Sequence, residues 1–300
     1  MATIKNHYGI SGSVPFADVE IDADNRLFLD PHAIRLSSAP VPFVHEAIDC
    51  SDSFLREVTR CVISGSTADR QRGEAMLQRF VEPWETRLGM SAAGFSGHGG
   101  GADVGSWIWD TLTSDVEALV RVGILRQLED LPLFVGGVDR DITSDITTRI
   151  VFGPLADFTA SVVASYPEFT AGTHRVGDFR KQVWDPVAIE WAEATVSLPI
   201  ANGKPLLLVP AKWARPTLLM SAGRFYETSV LSYEQLQQAA VTSDGKLLKT
   251  PKDLLKEQPG LERGRSTNLR ITQKALDNEE DLLAEFKRFV AGRYDDDTAA

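Results

Sequence analysis

Apolar and polar positions alternate near the start of the chain. Val19 and Ile21, then Leu27 and Leu29, flank the polar run Asp22-Ala23-Asp24-Asn25. That pattern predicts a short hairpin. Pro40 and Pro42 mark a loop. Over residues 51–79 the period changes: Phe54, Val58, Cys61 and Val62 recur at helical spacing, residues 65–73 interrupt them, and residues 75–81 resume the pattern. Ser51 or Asp52 suits the first cap. A further helix is expected over residues 104–128, with Trp107, Ile108, Leu112, Val116, Leu119 and Val120 on its apolar stripe. Leu133-Phe134-Val135 reads as a short buried strand or extended segment. A helical pattern starts near Ser144 and takes in Ile146, Ile150, Leu155, Phe158 and Val162. Gly153-Pro154 should kink or divide it.

Residues 194–213 read as a second hairpin. Val196, Leu198 and Ile200 alternate, and Asn202-Gly203 suits a two-residue type I′ turn. Leu206-Leu207-Leu208-Val209 has the continuous apolar character of a buried central strand. Pro199 and Pro205 confine ladder pairing to the middle of each strand. A last amphipathic helix covers about residues 278–293, followed by the acidic tail Asp295-Asp296-Asp297. The expected class is α+β or α/β: a mixed sheet with several amphipathic helices, more helix than strand. A weak boundary divides residues 1–175 from 176–300, unless the chain forms a single domain.

With 300 residues, 43% hydrophobic and 24% charged, the chain can bury a substantial core. This composition excludes a disordered, collagen-like or coiled-coil chain. It contains no run of 18 apolar residues and no apolar signal region near Met1. Two cysteines, Cys50 and Cys61, are too few for a disulfide scaffold. A soluble, cytoplasmic protein without a membrane segment is expected. The net charge of −11 disfavours general coating of nucleic acid. Residues 244–274 run against that balance. Eight bases (Lys246, Lys249, Lys252, Lys256, Arg263, Arg265, Arg270 and Lys274) and four acids give the segment a charge of +4. It is either a solvated surface or a nucleic-acid contact.

Four constellations can carry chemistry. Asp139, Asp141 and Asp145 lie within seven residues, where a loop hands over to a helix. Convergent carboxylates of this kind suit Mg²⁺ or Mn²⁺; the alternative is a helix start capped by Asp141 or Ser144, with Asp145 in its first turn and Asp139-Arg140 a surface turn. The glycine-rich stretch at residues 94–105 includes Gly97, Gly99, Gly100 and Gly101. It reads as a mobile lid or a backbone cradle for a phosphate-bearing cofactor, with His98 as an acid, base or ligand. Glu82 and Glu85 precede it three residues apart, and Glu85 is a candidate extra metal ligand unless it pairs with Arg87. Lys212 ends the apolar run at 206–209, where a nuclease would place a phosphate-stabilising lysine. The carboxylate such a motif needs two residues earlier is replaced by Pro210.

Leu27-Phe28-Leu29-Asp30-Pro31, Glu85-Thr86-Arg87-Leu88-Gly89 with its glycine loop, residues 139–148 and residues 206–213 together resemble the ordered landmarks of a family of uncharacterised bacterial proteins found around mobile-element and phage-defence loci. The resemblance implies a bacterial intracellular setting and makes nucleic acid a more plausible target. The sequence thus supports a metal-dependent, nuclease-like phosphodiester hydrolase. Asp139, Asp141, Asp145 and Lys212 would be catalytic, and residues 246–274 would hold the polyanion. The alternatives are a non-catalytic subunit that binds a protein partner, and a phosphate-ligand sensor.

Overall fold

The structure, a computed structural model, describes residues 2–23, 25–80, 83–89, 101–114, 118, 121 and 123–294. It is α+β, with more helix than strand and several small antiparallel sheets. The chain forms two compact units: Met1–Glu129 with Asp139–Leu218, and Asp130–Val138 with Leu219–Tyr294. Residue 175, where the sequence reading put its weak boundary, lies inside the first unit at the start of the strand Arg175–Asp185.

In the first unit, the Phe43–Ser64 helix buries Val44, Ala47, Phe54, Leu55, Val58 and Cys61 along one stripe. It stops at Gly65, whose φ of +62° is the left-handed C-cap conformation. Ser66 then caps the Thr67–Leu77 helix by accepting the Asp69 amide. The Gly101–Thr113 helix packs on this one so closely that a Cβ at Gly105 would strike the Leu77 carbonyl. The Arg140–Ile150 and Phe152–Ser165 helices meet at a bend of 72°. The division expected at Gly153-Pro154 falls at Val151, just ahead of them, because proline is tolerated in the first turn of the second helix.

The main sheet pairs Arg175–Asp185 with Glu190–Ala201, Trp184 facing Trp191. Asp185 closes the turn by accepting the amides of Val187 and Ala188. Phe54, Trp184 and Trp191 form an edge-to-face cluster beneath it. Asn202-Gly203 does form a tight turn with positive φ at both residues, as expected, but the strand after it is only Lys204–Pro205. Leu206–Val209 is buried and extended without being a ladder strand. Its amides are satisfied by scattered acceptors instead: Leu206 by Pro199, Leu207 by the Glu85 carbonyl and Leu208 by the Thr159 hydroxyl. The hairpin expected at 19–29 is absent. Glu20 bridges Thr3, and Phe28–Leu29 pairs with Ala214–Arg215. The Asn25 side chain bonds Glu20, Ala23 and Arg87 in place of a simple turn.

The second unit is helical apart from one ribbon, Ala240–Val241 with Leu247–Leu248. Phe134, Phe225 and Phe286 stack edge to face in its core. The strand expected at Leu133-Phe134-Val135 is a helix, Leu131–Phe134, with Pro132 in its first turn. Arg265 ties it down by donating to the Pro132 and Val138 carbonyls. The last helix is Leu282–Ala291, capped by Asp281, which accepts the Ala284 amide.

Candidate functional site

Asp139 is an N-cap: its Oδ1 accepts the Ile142 amide at 3.2 Å and opens the Arg140–Ile150 helix. Asp141 and Asp145 follow one turn apart, on one face. A Cβ at Gly89 would come within 3.3 Å of Asp141 Oδ1, so the segment carrying Glu85 runs beside this helix. Arg149, one further turn along, reaches Glu85 itself.

Glu85 is a buried carboxylate held by two cations. It sits in the Trp84–Thr86 turn and is 1% exposed. Lys181 Nζ lies 2.5 Å from one oxygen and Arg149 Nη2 3.3 Å from the other. Its carboxylate therefore serves as a counter-ion and does not fit the role of an extra metal ligand. Glu85 does not pair with Arg87, and Glu82, the other acid the sequence offers Arg87, lies outside the described residues. The Arg87 guanidinium donates to the Ile21 and Trp84 carbonyls, and burial pulls its pKa down, opposed by the nearby Glu85 charge. Lys181 and Arg87 also lie 5.5 and 5.6 Å from the Trp84 ring.

Lys212 is half-buried in the turn Ala211–Trp213. Gly97, Gly99, Gly100 and His98 lie outside the described residues, as does Glu82; Gly101 opens the Gly101–Thr113 helix. Among the described residues, no three His, Cys, Asp or Glu side chains are grouped to hold a metal ion.

One network went unread in the sequence. His32 Nδ1 lies 3.1 Å from Glu129 Oε1, and Arg35 joins that same oxygen at 2.6 Å to Asp52 Oδ1 at 2.6 Å. Burial opposes the Arg35 charge, but the hydrogen bonds it donates to Asp52 and Glu129, with their negative charges, outweigh that and raise its pKa. His32 and Arg35 lie on the Pro31–Leu36 helix, which Asp30 caps by accepting the His32 and Ala33 amides. Asp30-Pro31 has the composition of a helix start, a signal the sequence reading did not use; the partner Glu129 lies 97 residues away from His32.

In the second unit most of the basic segment is already engaged. Lys256 pairs with Glu227 and Asp253, Lys274 with the buried Glu234, and Lys252 donates to the Glu227 carbonyl and Ser232. Arg265 and Arg270 donate to backbone carbonyls. Lys246 pairs with Asp244 on the ribbon. The same stretch exposes apolar side chains instead. Val241 is 70%, Leu248 64%, Leu254 55%, Leu236 52% and Leu247 50% exposed. These five are most of the large apolar residues the described chain leaves in water; Val41, Ile63 and Val187 are the others.

The chain belongs to the family defined by a domain of unknown function (DUF8370), whose model matches residues 9–221. That span takes in Glu85, the Asp139–Asp145 turn and Lys212; residues 222–294 follow it. No curated protein and no solved structure matches the chain. No single described helix is long and apolar enough to cross a membrane.

Proposed function

We propose that this chain is a non-catalytic, partner-binding protein whose family domain is a scaffold and whose second unit carries the contact surface. The observation that supports this reading is the clustering of Leu236, Val241, Leu247, Leu248 and Leu254 in water within nineteen residues. A monomer gains nothing from such a patch, and apolar exposure of this kind marks interaction sites. A ribbon two residues wide also has open edges and little stability of its own, so a partner that covers it adds backbone bonds as well as apolar contact. Lys246 and Lys249 at its rim favour acidic residues on the partner. A bacterial cytoplasmic setting near mobile-element or phage-defence systems belongs to the same proposal.

The test is photo-crosslinking in cells from a probe at position 248, with a probe at the exposed Lys204 as control. The expected result is one discrete adduct from 248, lost in Val241→Ser/Leu247→Ser and absent from 204. Equal, diffuse labelling from both positions would refute the reading.

The second reading is the metal-dependent phosphodiester hydrolase. In its favour, Asp141 and Asp145 share a helix face beside Gly89, at the entry to the glycine-rich stretch. Its test is cleavage of single- and double-stranded DNA and RNA with Mg²⁺ or Mn²⁺. Activity lost in Asp141→Asn would support it; no cleavage of any substrate would remove it.

A further inference from the structure

We propose that the second unit binds a small organic cation, an alkyl- or aralkylammonium, in a pocket beside its π turn. The proposal does not rest on the partner-binding reading, although Leu236 lines this pocket and also belongs to that exposed apolar set. The pocket has a volume of about 230 Å³. At about 30 Å³ per water, that is room for roughly eight heavy atoms.

The pocket is built by an irregularity in the backbone. Over Tyr226–Val230 the helix widens into a π turn, in which the Leu231 amide bonds back to the Tyr226 carbonyl. Such turns cost regular hydrogen bonding and recur at functional sites. Thr228 and Ser229 from this turn line the pocket, with Ser232 on the next turn. The Thr228 hydroxyl donates to the Arg224 carbonyl, so its oxygen is left as an acceptor. The walls are apolar: Leu282 and Phe289 among them.

The charge of the lining selects the ligand. Glu280 and Glu285 are its ionisable acids, and among the described residues neither makes an ion pair. No lysine or arginine lines the pocket. Lys252 stands behind Ser232, but its ammonium already donates to that hydroxyl and to the Glu227 carbonyl. The Phe289 ring already carries two guanidiniums, Arg293 at 3.7 Å and Arg224 at 5.7 Å from its centroid, so it serves the ligand as an apolar wall and not as a cation face. Two uncompensated carboxylates, hydroxyl acceptors and an apolar wall fit an ammonium group on a short apolar body. An anion would face the two carboxylates there.

The test uses the full-length protein and three probes of one shape: benzylamine, benzyl alcohol and benzoate, titrated by calorimetry and ligand-observed NMR. Benzylamine should bind saturably at one site, about tenfold tighter than benzyl alcohol, with no binding of benzoate. Glu280→Gln/Glu285→Gln should weaken benzylamine about tenfold and leave benzyl alcohol unchanged. Both carboxylates are at least partly exposed, so this variant should keep the wild-type unfolding midpoint. Ser229→Trp should block both probes by filling the space. Leu247→Ser/Leu248→Ser should leave benzylamine binding intact, which separates this site from the partner surface. Equal affinity for all three probes, no saturable binding of benzylamine, or an unchanged benzylamine affinity in the double glutamine variant would each overturn the proposal.

Discussion

Replacing Glu85 by glutamine separates two roles that the same carboxylate was expected to choose between. The substitution keeps the side chain's shape and removes one negative charge. The structure puts that charge between Lys181 Nζ at 2.5 Å and Arg149 Nη2 at 3.3 Å, with Glu85 itself 1% exposed. Removing one partner from a fully buried pair costs about 3–5 kcal/mol, because the other charge stays desolvated. Here the cations keep some water: their side chains are 21% and 12% exposed. Screening and a swing of the lysine amine toward solvent therefore reduce the expected loss to about 2–3 kcal/mol. At about 2–4 °C per kcal/mol for a unit of this size, the midpoint should fall by about 4–12 °C.

The assay is thermal and urea unfolding followed by near-ultraviolet circular dichroism and tryptophan emission. Lys181 stands 5.5 Å from the Trp84 ring, so its release should also alter that signal in the native state. A cycle with Lys181→Met completes the test. The double variant should be less destabilised than the sum of the singles by about 1 kcal/mol or more, since the lysine's need for a counter-ion disappears with it. If Glu85 were instead one of several carboxylates awaiting a cation, its neutralisation would relieve repulsion, and the metal-free variant would be neutral or stabilised. A Glu85→Gln protein within about 0.5 kcal/mol of wild type, or strictly additive singles, would refute the counter-ion assignment.

Three further outcomes are expected. Glu57 is held down at about 2, first by its bond to Arg60 and then by Arg72 against the opposing pull of burial; its folded pKa thus lies below the ordinary 4.5. The stabilisation it supplies is complete above about pH 4.5 and is lost as the pH falls toward 2, so wild-type and Glu57→Gln stability curves should differ near neutrality and converge near pH 2 in urea titrations. Gly105→Ala should cost about 1–3 kcal/mol, because the new methyl meets the Leu77 backbone carbonyl rather than a movable side chain; a neutral effect in urea unfolding would show that the two helices do not pack as described. Asp139→Ala should cost about 1 kcal/mol through loss of its cap, with no change in response to Mg²⁺ or Mn²⁺; a wild-type midpoint raised by either ion, and no longer raised in Asp145→Asn, would return the acidic turn to metal binding.

What the sequence discloses here divides by the range of the interaction that decides it. The break at Gly65 and the positive-φ turn at Asn202-Gly203 are settled within four or five residues, and each is legible; the cap expected at Asp141 or Ser144 falls instead at Asp139, since the helix begins at Arg140. The strand at 194–201 is legible too, but its main partner is not. Alternation in Val196, Leu198 and Ile200 fits either neighbour. The ladder forms with Arg175–Asp185, whose charged and half-exposed residues hide its period, because Trp184 and Trp191 anchor that pair over Phe54. Leu206–Val209 satisfies its amides on Pro199, Glu85 and Thr159, three unrelated parts of the chain, so no local pattern distinguishes it from a central strand.

The same reasoning explains why the charge count at 244–274 overstates its field. A window of sequence counts only its own acids. Glu227 and Glu234, which neutralise Lys256 and Lys274, lie upstream of that window, on the π turn and the helix after it. Arg265 is drawn to the Pro132 and Val138 carbonyls, more than a hundred residues earlier in the chain. Those bases are structural, and removing them should unfold the second unit before it weakens any contact with a polyanion. On the ribbon the balance is different. Lys246 meets Asp244 with 83% of its side chain in water, where such a pair contributes little. Val241, Leu247 and Leu248 beside it are the apolar surface that the proposed partner would cover. A partner that buries them gains from desolvation, and the two ribbon lysines set only its orientation and rate of approach.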